Sequence, residues 1–354
     1  MPAKRSVTSR QVAKYAGVSQ TTVSFVLNNV ESAKVSAETR QRVLKAAKEL
    51  GYVPDAAARS LAAGRSSNIG LVLAQPHRQV FIDEYIPNII TGLSRVTRER
   101  GYRILVELVE DDSHPNTWLN LIRGKEVAGI IAAFNAPSEQ DIQEMAVIVA
   151  EGFPIVSLNH WHDTVHSVMV DKLDGVRNAV GHLVKLGHKR IACITYAPIP
   201  GLHDAFQRLL VYREVLEKAG IAYDEALVRQ GAYDPETGYQ AMKSLLELAS
   251  LPTALFAMND VMAFGAMTAI QEVGLRIPED IAVVGFDDIR LARYSRPALT
   301  TVREPDIEHG SAAGKLLIDL INKKPLEQHH IVLKTELRIR DSCGFHLWQA
   351  NHVG

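Results

Sequence analysis

The side chains best suited to chemistry in this sequence are polar groups that follow short apolar segments. Arg208 comes after the segment IACIT and its loop, Asn259 follows TALFAM, and Asp287 follows IAVVGF. An arginine, an amide and a carboxylate that converge on one site can each bond vicinal hydroxyls in more than one way. The set therefore predicts a site for a polyhydroxylated small molecule. Each residue taken alone could instead be a helix cap or a turn residue, the reading favoured for Asp260 and Asp288.

Aromatic side chains could complete this site by stacking on the face of a sugar ring. The candidates for this role are Tyr233, Phe81 and Trp161.

Catalytic and metal chemistry find little support. His160, His162 and His166 lie close together, but their spacing on a polar loop is not a standard zinc pattern and no cysteine assists them. The sequence has no G-x-S-x-G, P-loop or G-x-G-x-x-G motif, and Asp287 and Asp288 are expected to point apart. We therefore expect no metal, no cofactor and no enzymatic activity.

A second group of chemically capable residues lies in the first 65 positions. This stretch holds eleven Lys or Arg and four acids, a formal charge of +7, whereas the remainder carries −8. A basic segment on an acidic body suits contact with phosphates. The two cysteines, Cys193 and Cys343, form no disulfide pattern and are expected to be buried, and no apolar run suggests a membrane span or a signal segment. We expect a cytoplasmic protein.

The elements that would position the basic residues read as three short helices. Thr8 and Gln11 form a capping box, Gly17 suits a left-handed turn, Ser19 caps a second helix, and Ser36 begins a third that ends at Gly51. The residues of the third helix predicted to face inward are Val43, Leu44, Ala47 and Leu50. Two helices joined by a tight glycine turn predict a helix-turn-helix unit.

The second helix of such a unit enters the major groove of DNA with its first turn. Gln20 and Thr21 would then lie nearest to the base edges, since glutamine can bond adenine twice and threonine can touch a thymine methyl. The side chains placed for phosphates are Thr8, Ser19, Thr22 and Ser24. The alternative is a three-helix bundle that binds protein.

An Ala-rich segment, residues 54–66, follows the three helices. It has no face broad enough to fold alone, so we expect a hinge helix that orders on DNA. Leu61, near its end, could wedge into a minor-groove step. The alternative is a plain linker helix.

The remaining chain alternates apolar strands with amphipathic helices, which predicts parallel, doubly wound sheets. Its length exceeds one six-strand sheet, so two α/β lobes with a cleft between them are expected. Ligands of such sheets bind at the carboxyl ends of the strands. The predicted strands are Asn68–Ala74, Arg103–Val109, Val127–Ala132, Pro154–Leu158, Lys189–Thr195, Ala254–Ala257 and Ile281–Gly285.

The segments VAKYAGVSQTTVSFVLNN and VSAETRQRVLKAAKELGYVPDAAARSLAAGRSSNIGLV resemble the head, hinge and first core strand of the lactose repressor (LacI/GalR) family. The resemblance implies base reading by Gln20 and Thr21. Phe25 stands where the family usually has a base-contacting arginine, and would either contact a thymine methyl or pack inward. The further DNA-contacting positions are Asn28, Asp55 (where Asn is usual), Ala58 and Leu61.

The core resembles the same family, and the periplasmic sugar-binding fold that it shares, through motifs such as PTALFAMNDVMAFGAMTAIQEVGLRIPEDIAVVGFDDI and PALTTVREP. The resemblance places Arg208, Asn259, Asp287 and Tyr233 at effector-contacting positions. The first wall of the cleft departs from the family pattern. Candidates there are Gln75, Phe81, Asp83, Asn159 and Trp161.

The resemblance implies an effector-gated transcription repressor that binds a pseudo-palindromic operator as a homodimer. The effector would be a sugar or sugar derivative, with a purine as the alternative, and could act as inducer or corepressor. The expected domains are a DNA-binding head (1–53), a hinge (54–66), a two-lobed core (67–343) and a tail (344–354) without heptads. A transport-type sugar-binding protein and a carbohydrate-acting enzyme are the competing classes, and the basic head argues against both.

Overall fold

The computed structural model describes residues 7–27, 33–52, 66–74, 84–109, 117–134, 137–196 and 203–352. The chain divides into two compact units, residues 1–67 and 68–354. No helix in these ranges is long and apolar enough to cross a lipid bilayer.

Unit one contains three helices in its described part: α1 (Ser9–Ala16), α2 (Gln20–Leu27) and α3 (Ala37–Glu49). The Thr8 side chain accepts from the backbone N–H of Gln11, and the Gln11 side chain accepts in return from the backbone N–H of Thr8 at 2.8 Å. Gly17 then takes a left-handed φ of 65° between α1 and α2. The predicted capping box and glycine turn are confirmed, and they set the angle between the first two helices.

The core of unit one is small and made of alanine and valine. Its buried residues are Val12, Ala13, Ala16, Val23, Val26, Val43, Ala46 and Ala47. Leu44, predicted to face inward, is 48% exposed, so that prediction is wrong. Ala46 takes the buried position instead, because the inward stripe of α3 follows residues 43, 46, 47 and 50, which places 44 outside it.

Unit two contains two parallel-sheet lobes. The first lobe holds a sheet in the order β11-β5-β4-β3-β1-β2. Its strands are β1 (Asn68–Ala74), β2 (Arg103–Val109), β3 (Ile130–Phe134), β4 (Ile155–Ser157), β5 (His166–Asp171) and β11 (His330–Lys334). The helices around it are α4 (Tyr85–Glu99), α5 (Thr117–Arg123), α6 (Glu139–Ala150) and α11 (Asp306–Ile321).

The second lobe holds a sheet in the order β12-β10-β9-β8-β6-β7, in which only β12 runs antiparallel to its neighbour. Its strands are β6 (Ile191–Tyr196), β7 (Val228–Gly231), β8 (Ala254–Ala257), β9 (Ala282–Asp287), β10 (Thr300–Arg303) and β12 (Glu336–Arg338). Its helices are α7 (Lys172–Lys185), α8 (His203–Lys218), α9 (Pro235–Leu246), α10 (Asp260–Glu272) and α12 (Phe345–His352).

The two-lobed α/β architecture predicted from the sequence is confirmed, but five strands escaped the prediction: β5, β7, β10, β11 and β12. Each has only three to six residues. Short strands of this kind carry too little periodicity to be distinguished from loops. One of them, β5, begins at His166, which the sequence reading had assigned to a loop.

The chain passes between the lobes at three places in the described ranges. The crossovers follow β5 at Lys172, β10 at Glu304 and β11 at Thr335. The Thr335 hydroxyl donates to the backbone oxygen of Asp171 at 3.2 Å, which ties the third crossover to the first. Because β5, β10 and β11 all end here, the crossovers lie beside the carboxyl ends of the strands, where the effector cleft was predicted.

The last helix, α12, lies within the segment interpreted from the sequence as a tail. Phe345 packs against the core of the second lobe and contacts the Trp348 ring at a centroid distance of 6.2 Å. The segment is therefore helical at least from Phe345 to His352.

Candidate DNA-binding and effector-binding sites

The outward face of α2 combines polar and aromatic side chains. Gln20 and Thr21 are exposed, and Phe25 is 37% exposed and does not belong to the core of unit one. Val23 and Val26, on the opposite face, are buried. Of the two alternatives for Phe25, inward packing is therefore wrong, because the valines already fill the inner face.

A surface depression beside the start of α2 adds two cations that the sequence reading had not placed in the site. Arg10 and Lys14 line it together with Gln11 and Gln20. The Gln20 amide donates to the Ser9 hydroxyl at 2.7 Å, which holds the two helices together at this point. Arg10 and Lys14 are four residues apart on α1, and this spacing was a usable signal for one charged helix face.

Several hydroxyls assigned to phosphate contact also have local partners. Ser19 accepts from the backbone N–H of Thr22 at 3.1 Å, and the two hydroxyls share a hydrogen bond of 2.9 Å. Ser24 is half-buried. Four other DNA-contact candidates, Asn28, Asp55, Ala58 and Leu61, lie outside the described residues.

Arg208, which the sequence predicts to contact the effector, is buried among groups of the second lobe. It lies on α8, is only 2% exposed, and its guanidinium sits 4.4 Å from the centroid of the Phe286 ring. Its Nη1 donates to the backbone oxygen of Met258 at 3.4 Å. Stacking on an aromatic ring and a carbonyl bond fix the plane of the guanidinium, as required for bidentate recognition.

Glu304 was missed by the sequence reading and lies at the second crossover, beside Arg208. It is 6% exposed, with Oε1 at 3.5 Å from Nη2 of Arg208 and Oε2 at 3.2 Å from Nζ of Lys172. The Lys172 ammonium in turn lies 5.4 Å from the centroid of the Tyr85 ring, at the start of α4 in the first lobe. These contacts connect the second lobe, two crossovers and the first lobe.

Two neutral side chains among the predicted effector residues each have a buried donor without a hydrogen-bond partner in the described parts of the chain. One is Nδ2 of Asn259, whose Oδ1 caps α10 by accepting from the backbone N–H of Met262 at 2.8 Å. The other is Nε1 of Trp161, which lies beyond the end of β4. A buried donor without a partner costs free energy, so both positions favour a bound acceptor.

The structure describes three of the remaining predicted effector residues: Tyr233, Asp287 and Asn159. Tyr233 stacks on Tyr196 at a centroid distance of 4.1 Å, and both Tyr233 and Asp287 have left-handed φ values, 62° and 112°. Backbone strain of this kind concentrates at binding sites. Asn159 follows β4, with its amide 3.5 Å from the backbone oxygen of Phe134. Gln75, Phe81 and Asp83 lie outside the described residues.

Asp260 and Asp288 each bind groups of the second lobe. The Thr301 hydroxyl and the backbone N–H of Ile289 donate to Asp260 at 2.6 and 2.9 Å, and complete burial raises the pKa of its carboxyl to about 8. Arg340 pairs with Asp288. These contacts join loops and strands within the second lobe.

The histidines considered for metal binding form no metal site in the described ranges. His166 contacts His329, with 3.2 Å between the two Nδ1 atoms, whereas His162 bonds Thr164 and His160 pairs with Asp163. Burial, with the neighbouring His329 and His330, lowers the pKa of His166. The three rings thus have separate partners.

Comparison with known proteins assigns both units. The family described as bacterial regulatory proteins, lacI family, matches residues 8–55, and the periplasmic binding protein-like domain matches residues 180–343. The chain is 34% identical to the HTH-type transcriptional regulator CelR of Thermobifida fusca over 346 residues, which covers 97% of this chain and 100% of that protein.

Solved structures agree with this assignment. The lac repressor dimer bound to operator and the anti-inducer ONPF is similar with a TM-score of 0.81 and 31% identity, and covers 96% of this chain and 99% of that chain. The complex of the transcriptional regulator CelR with cellobiose is similar with a TM-score of 0.70 and 32% identity, and covers 95% and 99% of the two chains.

Proposed function

The chain belongs to the lacI family of bacterial regulatory proteins, and on this premise we propose that it is a homodimeric repressor released from or recruited to its operator by a small molecule in the cleft of unit two. The observation that supports this most directly is that one chain combines an exposed polar face on α2 with a group of buried polar side chains, Arg208, Asn259 and Glu304, in the second lobe of unit two. A transport-type binding protein would have no use for the first, and the family consists of regulators rather than enzymes.

In the proposed DNA complex, Gln20, Thr21 and Phe25 contact base edges, and the cations Arg10 and Lys14 contact phosphates. Ser19, Thr22, Thr8 and Ser24 position the helices and add backbone contacts. Residues 1–53 form the head and residues 54–66 the hinge, from which Leu61 would enter the central minor-groove step. These assignments rest on the family resemblance together with the exposure of the α2 face.

We propose that the cores (residues 67–343) carry the dimer contact. Leu291 and Tyr294, which follow β9 in the second lobe, are 61% and 69% exposed in the single chain, and two such apolar groups on one short turn favour a covered surface. The solved lac repressor dimer on its operator supports a pair of chains. A pseudo-palindromic operator matches this two-fold symmetry.

We propose a sugar or sugar derivative as the effector, with a purine as the alternative. The CelR complex with cellobiose supports the sugar. Asn259 and Trp161 supply unpaired donors for hydroxyl oxygens, Asp287 supplies acceptors, and Tyr233 supplies a stacking face. We place the protein in the cytoplasm, where its DNA is.

The test begins with the selection of binding sites from random double-stranded DNA, followed by operator binding with and without a panel of sugars and purines. Thermal shift first identifies which compound binds the folded protein. Arg208→Ala should then abolish the response to that compound while operator affinity in its absence stays within about twofold. A variant that still responds at the wild-type concentration would refute the assignment of the cleft. Failure to select any DNA sequence would refute the repressor.

A further inference from the structure

Glu304 places a buried negative charge beside Arg208 in the proposed effector site. A carboxylate that is 6% exposed lies between two cations, at 3.5 Å from Arg208 Nη2 and 3.2 Å from Lys172 Nζ. Arg208 itself is buried and Lys172 has a side-chain exposure of 26%. All three charges therefore interact in an environment with little water, where electrostatic interactions are strong.

The consequence for a ligand follows from desolvation. A buried ion is stable only when it is paired, and Glu304 already pairs both cations. A phosphate or carboxylate on the ligand would need these cations for compensation. It would have to take them from Glu304 and would then leave two anions close together, which is unfavourable.

Uncharged hydroxyl groups of a ligand do not compete with Glu304 for the two cations. Two neutral donors among the predicted effector residues, Asn259 Nδ2 and Trp161 Nε1, are buried and have no hydrogen-bond partner in the described part of the chain, and Asp287 adds a carboxylate rather than a cation. Neutral donors and carboxylate acceptors together suit the two-way hydrogen bonding of a hydroxyl group.

We propose that Glu304 is a specificity-determining residue that restricts the effector to uncharged polyhydroxylated compounds and excludes their phosphorylated or carboxylated forms. The proposal rests on the effector cleft of the proposed function and narrows its ligand to one charge class. Glu304 acts both by repelling anions and by occupying the guanidinium of Arg208.

The experiment measures dissociation constants by calorimetry for matched pairs: glucose and glucose 6-phosphate, cellobiose and its 6-phosphate, ribose and ribose 5-phosphate. For the neutral member that binds, we expect the phosphorylated member to bind at least about tenfold more weakly to the wild type. In Glu304→Gln, which keeps the size and removes the charge, this ratio should fall by about tenfold or more.

The matched control is Glu308→Gln, which makes the same change four residues later. Glu308 is exposed and pairs with Arg303 at the surface, so the ratio should stay at its wild-type value. The wild-type comparison needs no variant, so the proposal stays testable if Glu304→Gln fails to fold.

Three results would overturn the proposal: tighter wild-type binding of a phosphorylated member, an unchanged ratio in Glu304→Gln, or no binding of any neutral sugar up to about 10 mM. If these occur while the wild type still binds selected DNA and responds to another compound, the charge selectivity fails and the repressor function stands.

Discussion

Arg290 binds Glu84 across the two lobes of unit two. The guanidinium Nε lies 2.8 Å from Oε1 of Glu84, and the backbone N–H of Arg290 donates to Oε2 at 3.2 Å. Glu84 directly precedes α4 in the first lobe, and Arg290 follows β9 in the second. Both residues lie at the carboxyl ends of the strands. The pair therefore holds the two lobes together in the arrangement in which Arg208 and Asn259 are each 2% exposed.

Glu84→Ala should loosen this arrangement and weaken effector binding. The Arg290 side chain is 85% exposed, so water screens the pair and the dissociation constant should rise by no more than about fivefold. Calorimetry with the identified effector at low and high salt measures this, and salt should reduce the difference. Asp280→Ala removes an exposed pair with Arg276 inside the second lobe and should leave affinity unchanged. Equal effects of the two substitutions would contradict the fastening role.

His309 should make the folded protein sensitive to acid. It is buried in α11, its Nε2–H donates to the backbone oxygen of Val168 at 2.8 Å, and desolvation lowers its pKa from 6.5 to about 4. The unfolded chain therefore binds a proton between pH 6.5 and 4 that the folded chain does not, so stability falls as the pH drops through this window. The loss attributable to His309 is about 3 kcal/mol.

Urea unfolding at pH 7, 5.5 and 4.5 measures this dependence. His309→Gln should unfold more easily at pH 7 but show a flatter pH profile, and His346→Gln, at an exposed histidine of α12, should keep the wild-type slope. His166, His182 and His188 also have lowered pKa values and leave part of the slope in place. A profile unchanged by His309→Gln would exclude this residue as the source.

We predict that Phe25 contacts a thymine methyl group of the operator. It lies one helical turn after Thr21 on the exposed face of α2, and an apolar contact with the C5 methyl is the recognition available to its ring. Replacing the contacted thymine by uracil removes only that methyl and should weaken wild-type binding by about 1 kcal/mol. Gel shifts on the selected operator measure the loss.

The same thymine-to-uracil change should have no effect on Phe25→Ala, because the contact is already absent. Uracil substitution at a thymine outside the half-sites serves as the control for DNA shape. A loss of equal size in the wild type and in Phe25→Ala would show that another residue contacts the methyl.

Gly92 and Gly310 should be intolerant of a side chain. A Cβ at Gly92 would overlap the backbone oxygen of Ile307, and one at Gly310 would overlap that of Ile89, because α4 and α11 cross in backbone contact. Gly92→Ala should lower the free energy of unfolding by about 3 kcal/mol or prevent folding, since neither carbonyl can move without its helix.

Gly181→Ala is the matched control. Gly181 lies in the middle of α7 with no atom within 4 Å of an added Cβ, so alanine there should stabilise by up to about 1 kcal/mol through helix propensity. Urea denaturation of both variants measures the contrast. A Gly92→Ala variant as stable as the wild type would show that the helices can separate at little cost.

Local signals were sufficient where they act within a few residues. The capping box of Thr8 and Gln11, the left-handed Gly17 and the bounds Asn68–Ala74, Arg103–Val109 and Ala254–Ala257 were all predicted and confirmed. Each depends on side chain-to-backbone bonds or on strong apolar periodicity. Leu44 was assigned to the wrong face because either Leu44 or Ala46 could complete an apolar stripe with Val43 and Ala47. Only the packing of α3 in the core of unit one distinguishes the two.

By itself, the sequence determined the repressor family, the helix-turn-helix unit, the two α/β lobes and the placement of Asn259 and Asp287 at strand ends, since periodicity and motif order encode these. The tertiary structure alone decided that Glu304 joins Arg208 to Lys172 and that Glu84 meets Arg290, 206 positions away. Contacts of this kind depend on how strands from distant parts of the chain pair and cross between lobes, and no local pattern in the sequence specifies that geometry.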